Sequence, residues 1–175
     1  MPADSGEIAG TPGPVAARYD ALVADGSVTP DPAQRALVAR LDRLVEELAE
    51  ARPASRGALA RLFGPRPKRA LRGLYVHGAV GRGKTMLMDV FFAAAPVPDK
   101  RRAHFHDFMA DVHERIHKAR QATRDGKGRA DPIAPVAASI AAETRLLCLD
   151  EFAVEDIADA MILSRLFEAL FANGL

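Results

Sequence analysis

The sequence of 175 residues has no tryptophan, two tyrosines and one cysteine. With Cys148 alone, no internal disulfide framework can form, which fits a reducing compartment. No apolar run approaches the roughly 20 residues needed to span a bilayer. The opening stretch, MPADSGEIAGTPGPVAARYD, lacks the apolar core of a secretory signal. Asp4, Glu7 and a scarcity of arginine there also argue against a transit peptide. A cytoplasmic location is the expectation. Excess charge is missing as well. The net charge is +1, so no global electrostatic argument points to nucleic acid or to a membrane. What is present is ordinary: 49% hydrophobic and 27% charged residues, at the length of one domain.

Residues 1–16 are rich in Gly, Pro and Ala without periodicity and read as a mobile tail. Residues 17–72 read as a helical segment followed by a basic linker. Asp31-Pro32 opens a helix, with Asp as the cap and Pro at the first helical position. Leu37, Leu41, Leu44 and Leu48 recur at helical steps and predict its apolar face, and Pro53 closes it. Residues 52–72 carry seven Lys or Arg, no acid and three prolines. They read as a solvated connector, or as a contact for anionic lipid, nucleic acid or phosphate.

From residue 73 to 175 the pattern changes. GLYVHG predicts a strand, KTMLMDVFFAAA a helix, RRAHFH a strand and DFMADVHERIHKARQ a helix. PIAPVAASIAAE predicts a helix, TRLLCLDEF a buried strand, and EDIADAMILSRLFEALFANG a last helix stopped near Gly174. This order predicts an α/β fold on a parallel sheet with flanking helices. No internal repeat is visible.

Gly78, Gly83, Lys84 and Thr85 fill the pattern Gly-x-x-x-x-Gly-Lys-[Ser/Thr]. Glycines let backbone N–H groups wrap phosphate oxygens without Cβ clashes, and the helix that follows turns its positive end to the same anion. The Lys84 ammonium can reach the β and γ phosphates of ATP, and the Thr85 hydroxyl can hold Mg2+. The partner of such a loop is an apolar strand that ends in acid, and LLCLDEF supplies it. Asp150 suits a water-bridged Mg2+ contact. Glu151 suits polarising a water for attack on the γ-phosphate, a role that kinases of small molecules do not need.

A second signature competes. His113, Glu114 and His117 spell the His-Glu-x-x-His of zinc peptidases. Zinc needs a third protein ligand in a sheltered cleft, and no histidine follows His117. Arg115, Lys118 and Arg120 place cations where they would oppose a metal ion. The expectation is therefore a packing helix, with His113 and His117 on one face and no third ligand in reach.

With these residues in hand, four segments resemble the AAA+ ATPase family typified by bacterial ZapE-like cell-division ATPases and their mitochondrial relatives. They are RYDALVADGSVTPDPAQRALVARLDRL, GLYVHGAVGRGKTMLMDVFF, RRAHFHDFMADVHERIHK and LLCLDEFAVEDIADAMILSRLFEALF. The resemblance covers residues 18–175. It implies an AAA+-type P-loop NTPase fold and Mg2+-dependent ATP hydrolysis. It makes Gly78, Ala79, Val80, Gly81, Arg82, Gly83, Lys84 and Thr85 the Walker A site, and Asp150 and Glu151 the Walker B site, with Lys84 and Glu151 as the catalytic pair. It brings Gln34 near the adenine, where the other reading is a surface glutamine. It offers Phe108 and Met109 as client contacts, where the other reading is core. The implied partners are protein clients, with the division machinery among them. A peripheral contact with anionic membrane, no specific nucleic acid and a homo-oligomer in the longer form complete the expectation.

The sequence departs from the family's pattern at Ala153 and Glu155, where relatives often carry Gln and Thr. It also stops at Leu175, before the strand expected between those ending at His77 and Asp150. That strand brings the sensor residue, and the arginine finger and the helical lid lie beyond it. These 175 residues therefore read as an N-terminal fragment that hydrolyses ATP negligibly. The competing readings are a small-molecule P-loop kinase and a nucleotide-binding module without turnover.

Overall fold

The computed structural model describes residues 12–51, 71–79, 81–125 and 131–175. Most of the expected tail, most of the basic linker, Val80 and part of the polar stretch TRDGKGRAD at 123–131 lie outside the described residues. The chain divides into two compact units. Among the described residues, the first gathers 12–50 with Leu74–Pro96, and the second holds Val97 to Leu175. The loop and helix at 78–94 group with the N-terminal helices.

The first unit is built from α1 (Pro14–Ala24), α2 (Pro32–Glu50) and α3 (Lys84–Ala94), each packed on the other two. α1 begins inside the expected tail. Pro14 sits at its first turn, where a missing N–H costs nothing. The N–H groups of Val15 and Ala16 donate to the carboxylate of Asp42 on α2, at 2.8 and 3.0 Å. This explains why an aspartate lies on the apolar stripe of α2: it satisfies the orphan donors of α1. Asp31 caps α2 as expected, with Oδ1 accepting from the Ala33 N–H at 2.7 Å. The buried stripe of α2 is Val38, Leu41, Asp42, Val45 and Leu48, so Leu37 and Leu44 sit at its margin and not at its centre. Against it pack Val15 and Tyr19 of α1 and Leu87, Val90 and Phe91 of α3, all buried.

The second unit has the order β1 (Lys100–His104), α4 (Phe105–Arg124), α5 (Ile133–Glu143), β2 (Leu146–Asp150) and α6 (Ile157–Ala172). β1 and β2 pair in parallel, with Arg102 opposite Cys148 and His104 opposite Asp150. Pro135 does not delay α5, because it falls in the first turn, where its nitrogen has no helical acceptor. Phe105, Phe108, Met109, Val112 and Ile116 of α4 form a buried cluster with α5 and with Leu163, Leu166 and Leu170 of α6. Each such side chain contributes roughly 1.5–3 kcal/mol by leaving water. Phe108 and Met109 are therefore core residues and not client contacts: they are 0% and 3% exposed.

One expected strand is absent. Residues 73–78 form neither strand nor helix, and the sheet, among the described residues, is β1 with β2. A strand exists as a member of a ladder, and the ladder among the described residues is that of β1 with β2. Tyr75 and Val76, apolar as a buried strand requires, are instead 70% and 37% exposed.

Candidate functional site

In the first unit, the Gly-rich loop runs into the N-terminus of α3. Gly81 and Gly83 have φ of +78° and +75°, the left-handed region that only glycine enters freely. Gly83 is also the N-cap of α3, and its carbonyl accepts from the Leu87 N–H at 3.0 Å. The loop closes around a cation. Lys84 Nζ donates to the carbonyl oxygens of Gly78 and Ala79, at 2.9 and 2.7 Å. Thr85 follows as an exposed residue of the first turn. A positive side chain, a helix N-terminus and glycine backbone thus meet in one place, which is the donor set that a phosphate chain requires.

The helices behind the loop touch it. Gln34 Nε2 donates to the Arg82 carbonyl at 3.1 Å, and Gln34 Oε1 accepts from the Tyr19 hydroxyl at 3.1 Å. The Tyr19 oxygen accepts in turn from the Asp31 N–H at 3.3 Å. The Arg82 guanidinium stands 3.3 Å from the Asp31 carboxylate. Gln34 is thus neither a free surface residue nor a residue remote from the loop. Tyr19 and Asp31 were not legible as partners of the loop, because they contact it only through the fold.

In the second unit, β2 delivers Asp150 to its carboxyl end. Asp150 Oδ2 lies 3.4 Å from Arg102 Nη2 on the neighbouring strand, and Asp150 Oδ1 accepts the Glu151 N–H at 3.1 Å. Glu151 has φ +53°, a left-handed conformation that costs a non-glycine residue about 1–2 kcal/mol. Its carboxylate is exposed, 3.9 Å from His104 Nδ1. The turn therefore holds Glu151 in a strained but open position. The Arg102 contact went unforeseen. Alternation along β1 puts Lys100, Arg102 and His104 on one face, and the strand pairing alone decides that this face meets Asp150. Behind it, burial pushes the Cys148 thiol up to about 11, against the opposing pull of Arg102 and Lys100. That leaves it a packed, unreactive group.

The His-Glu-x-x-His stretch lies on α4, and each of its polar residues has a partner. His113 Nε2 is 2.7 Å from Asp159 of α6, His117 Nε2 is 2.8 Å from Gln121, and Glu114 pairs with Lys118. Arg115 is a clamp: it meets Asp111 on its own helix and grips Glu143 of α5 through two parallel bonds of 2.9 Å. Asp111 also binds Arg101 of β1 at 2.6 Å. Burial raises the Asp111 carboxyl, but hydrogen bonds from Arg101 and Arg115 outweigh it and hold the group below its ordinary value. Among the described residues no group of three His, Cys, Asp or Glu could hold a metal ion. No described helix is long and apolar enough to cross a membrane.

A family model described as AFG1-like ATPase matches residues 14–175. The cell division protein ZapE of Escherichia coli K12 is 41% identical over 167 residues, which cover 90% of this chain and 43% of that protein. Lactation elevated protein 1 homolog B of Danio rerio is 56% identical over 108 residues, 59% of this chain and 22% of its own. An uncharacterised protein of Schizosaccharomyces pombe is 36% identical over 186 residues, 90% of this chain and 40% of its own. The chain thus spans less than half the length of these curated relatives. No solved structure matches it.

Proposed function

The chain belongs to the AFG1-like ATPase family, the ZapE-like AAA+ group, and from that premise we propose that it binds ATP with Mg2+ on the loop from Gly78 to Thr85 as part of an ATP hydrolase. The observation that carries this reading is the loop itself. Left-handed glycines, Lys84 and the start of α3 come together in one short stretch. On binding, Lys84 Nζ exchanges the Gly78 and Ala79 carbonyls for phosphate oxygens. In the first unit the Thr85 hydroxyl is the group that would hold Mg2+, which would neutralise charge on the β and γ phosphates; in the second unit the family resemblance gives Asp150 a water-bridged Mg2+ contact. The Arg102 guanidinium, 3.4 Å from Asp150, would oppose a divalent cation at that carboxylate. The open Glu151 carboxylate orients and polarises the attacking water.

By its likeness to ZapE, the work of hydrolysis is the remodelling of protein clients, including those of cell division, in the cytoplasm. Assembly into a homo-oligomer and contact with anionic membrane belong to the same proposal. A second reading is nucleotide binding without turnover, favoured by the Arg102–Asp150 pair. Phosphate release from Mg-ATP separates the two. The assay compares variants. Glu151→Gln should keep ATP affinity and lower phosphate release at least about tenfold. Equal release by wild type and Glu151→Gln, with ATP affinity intact, leaves the second reading standing.

A further inference from the structure

We propose that Gln34 is a positioning residue for the phosphate-binding peptide, set by Tyr19, and that its role concerns the phosphate chain and not the base. The inference rests on the ATP-binding reading above.

Three hydrogen bonds lie in series, and each fixes the direction of the next. The Asp31 N–H can only donate, so the Tyr19 oxygen accepts from it. The Tyr19 hydroxyl proton is then available to Gln34, whose oxygen must be the end that receives it. The amide nitrogen of Gln34 is thereby turned to the loop, where it meets the Arg82 carbonyl oxygen at 3.1 Å. Without Tyr19 the two ends of the amide could exchange, and an oxygen would face an oxygen. Tyr19 is wholly buried, so this direction is built into the packing of α1.

The consequence follows from the planar trans peptide. The carbonyl of Arg82 and the N–H of Gly83 belong to one peptide unit and point in opposite directions. Holding the Arg82 oxygen on Gln34 aims the Gly83 N–H away from α2. A Cβ on Gly83 would stand 2.8 Å from Gln34 Nε2, so the amide is seated directly against this peptide. Asp31 adds a second tie to the same residue through the Arg82 guanidinium. The amide's two ends are thus both engaged within the protein. Its oxygen accepts from Tyr19, and one of its two N–H groups donates to Arg82.

Tyr19→Phe keeps the ring and removes only the hydroxyl, and Gln34→Glu keeps the shape and replaces the donor by an acceptor. Affinities for ATP, GTP and inorganic tripolyphosphate are measured with Mg2+ on wild type, both variants and Lys84→Ala. Amide hydrogen exchange at Gly83 is followed in the free protein, and thermal melts check folding. The expected result is a loss of about tenfold for all three ligands in Gln34→Glu. A smaller loss in Tyr19→Phe, an unchanged ATP-to-GTP ratio and faster exchange at Gly83 in both variants are expected with it. If Gln34→Glu changes the ATP-to-GTP ratio and leaves tripolyphosphate binding alone, the residue reads the base and the proposal fails. Wild-type affinity and exchange in both folded variants would also overturn it, while a loss confined to Lys84→Ala leaves the ATP-binding reading intact. Failure of the wild type to bind any of the three ligands overturns the two together.

Discussion

Gly83 carries two constraints at once. Its φ of +75° penalises any side chain by about 1–2 kcal/mol, and a Cβ there meets Gln34 at 2.8 Å. The motif in the sequence requires a glycine at this position for the sake of phosphate, but the structure adds a reason within the protein itself. Gly83→Ala should therefore lower the melting temperature of the free protein as well as weaken ATP binding. A thermal melt without ligand checks this, and an unchanged melt would mean that the Gln34 contact is loose. The motifs that single out Lys84, Thr85, Asp150 and Glu151 are short and local, so each of these candidates stands out from the sequence alone. Tyr19, Asp31 and Arg102 do not. Each earns its place only when a helix or strand from elsewhere in the chain packs beside it.

At the scale of elements, helices were read better than strands. The starts of α2 and α6 follow from local caps, with Asp31 and Asp156 accepting from the N–H two residues on. The segment 73–78 has the composition of a strand, yet composition cannot supply a ladder partner. The His-Glu-x-x-His helix shows the reverse error that a motif invites: Arg115, an intruder in a zinc site, is the clamp that joins α4 to α5. That clamp gives the second unit a pH dependence. Hydrogen bonds from Arg115, then Ser139, hold the Glu143 carboxyl at about 2, against an ordinary 4.5. A carboxylate with a depressed folded value stabilises fully above its unfolded value, and that contribution is lost as pH falls through the folded one. Acid titration of the wild type should thus show stability falling between about pH 4.5 and 2. Glu143→Gln should start less stable at neutral pH and show a shallower fall in that window, as followed by circular dichroism. An identical slope in both proteins would remove Glu143 from the account.

At the scale of the molecule, the α/β class and the parallel pairing of β1 with β2 were legible from the order of elements. The grouping of the loop and α3 with the N-terminal helices was not, because it depends on which faces bury one another across long sequence separations. Asp42 shows why. Its place on an apolar stripe makes no sense until α1 arrives with unsatisfied N–H groups. The family match and the loop geometry both support the central proposal, that this chain takes up ATP through the loop from Gly78 to Thr85. Equilibrium titration of the folded chain with Mg-ATP, wild type against Lys84→Ala, tests it most directly. The account predicts saturable binding by the wild type and a loss of at least about tenfold in Lys84→Ala, with melts unchanged by more than a few degrees. Equal affinity in the two proteins would contradict it.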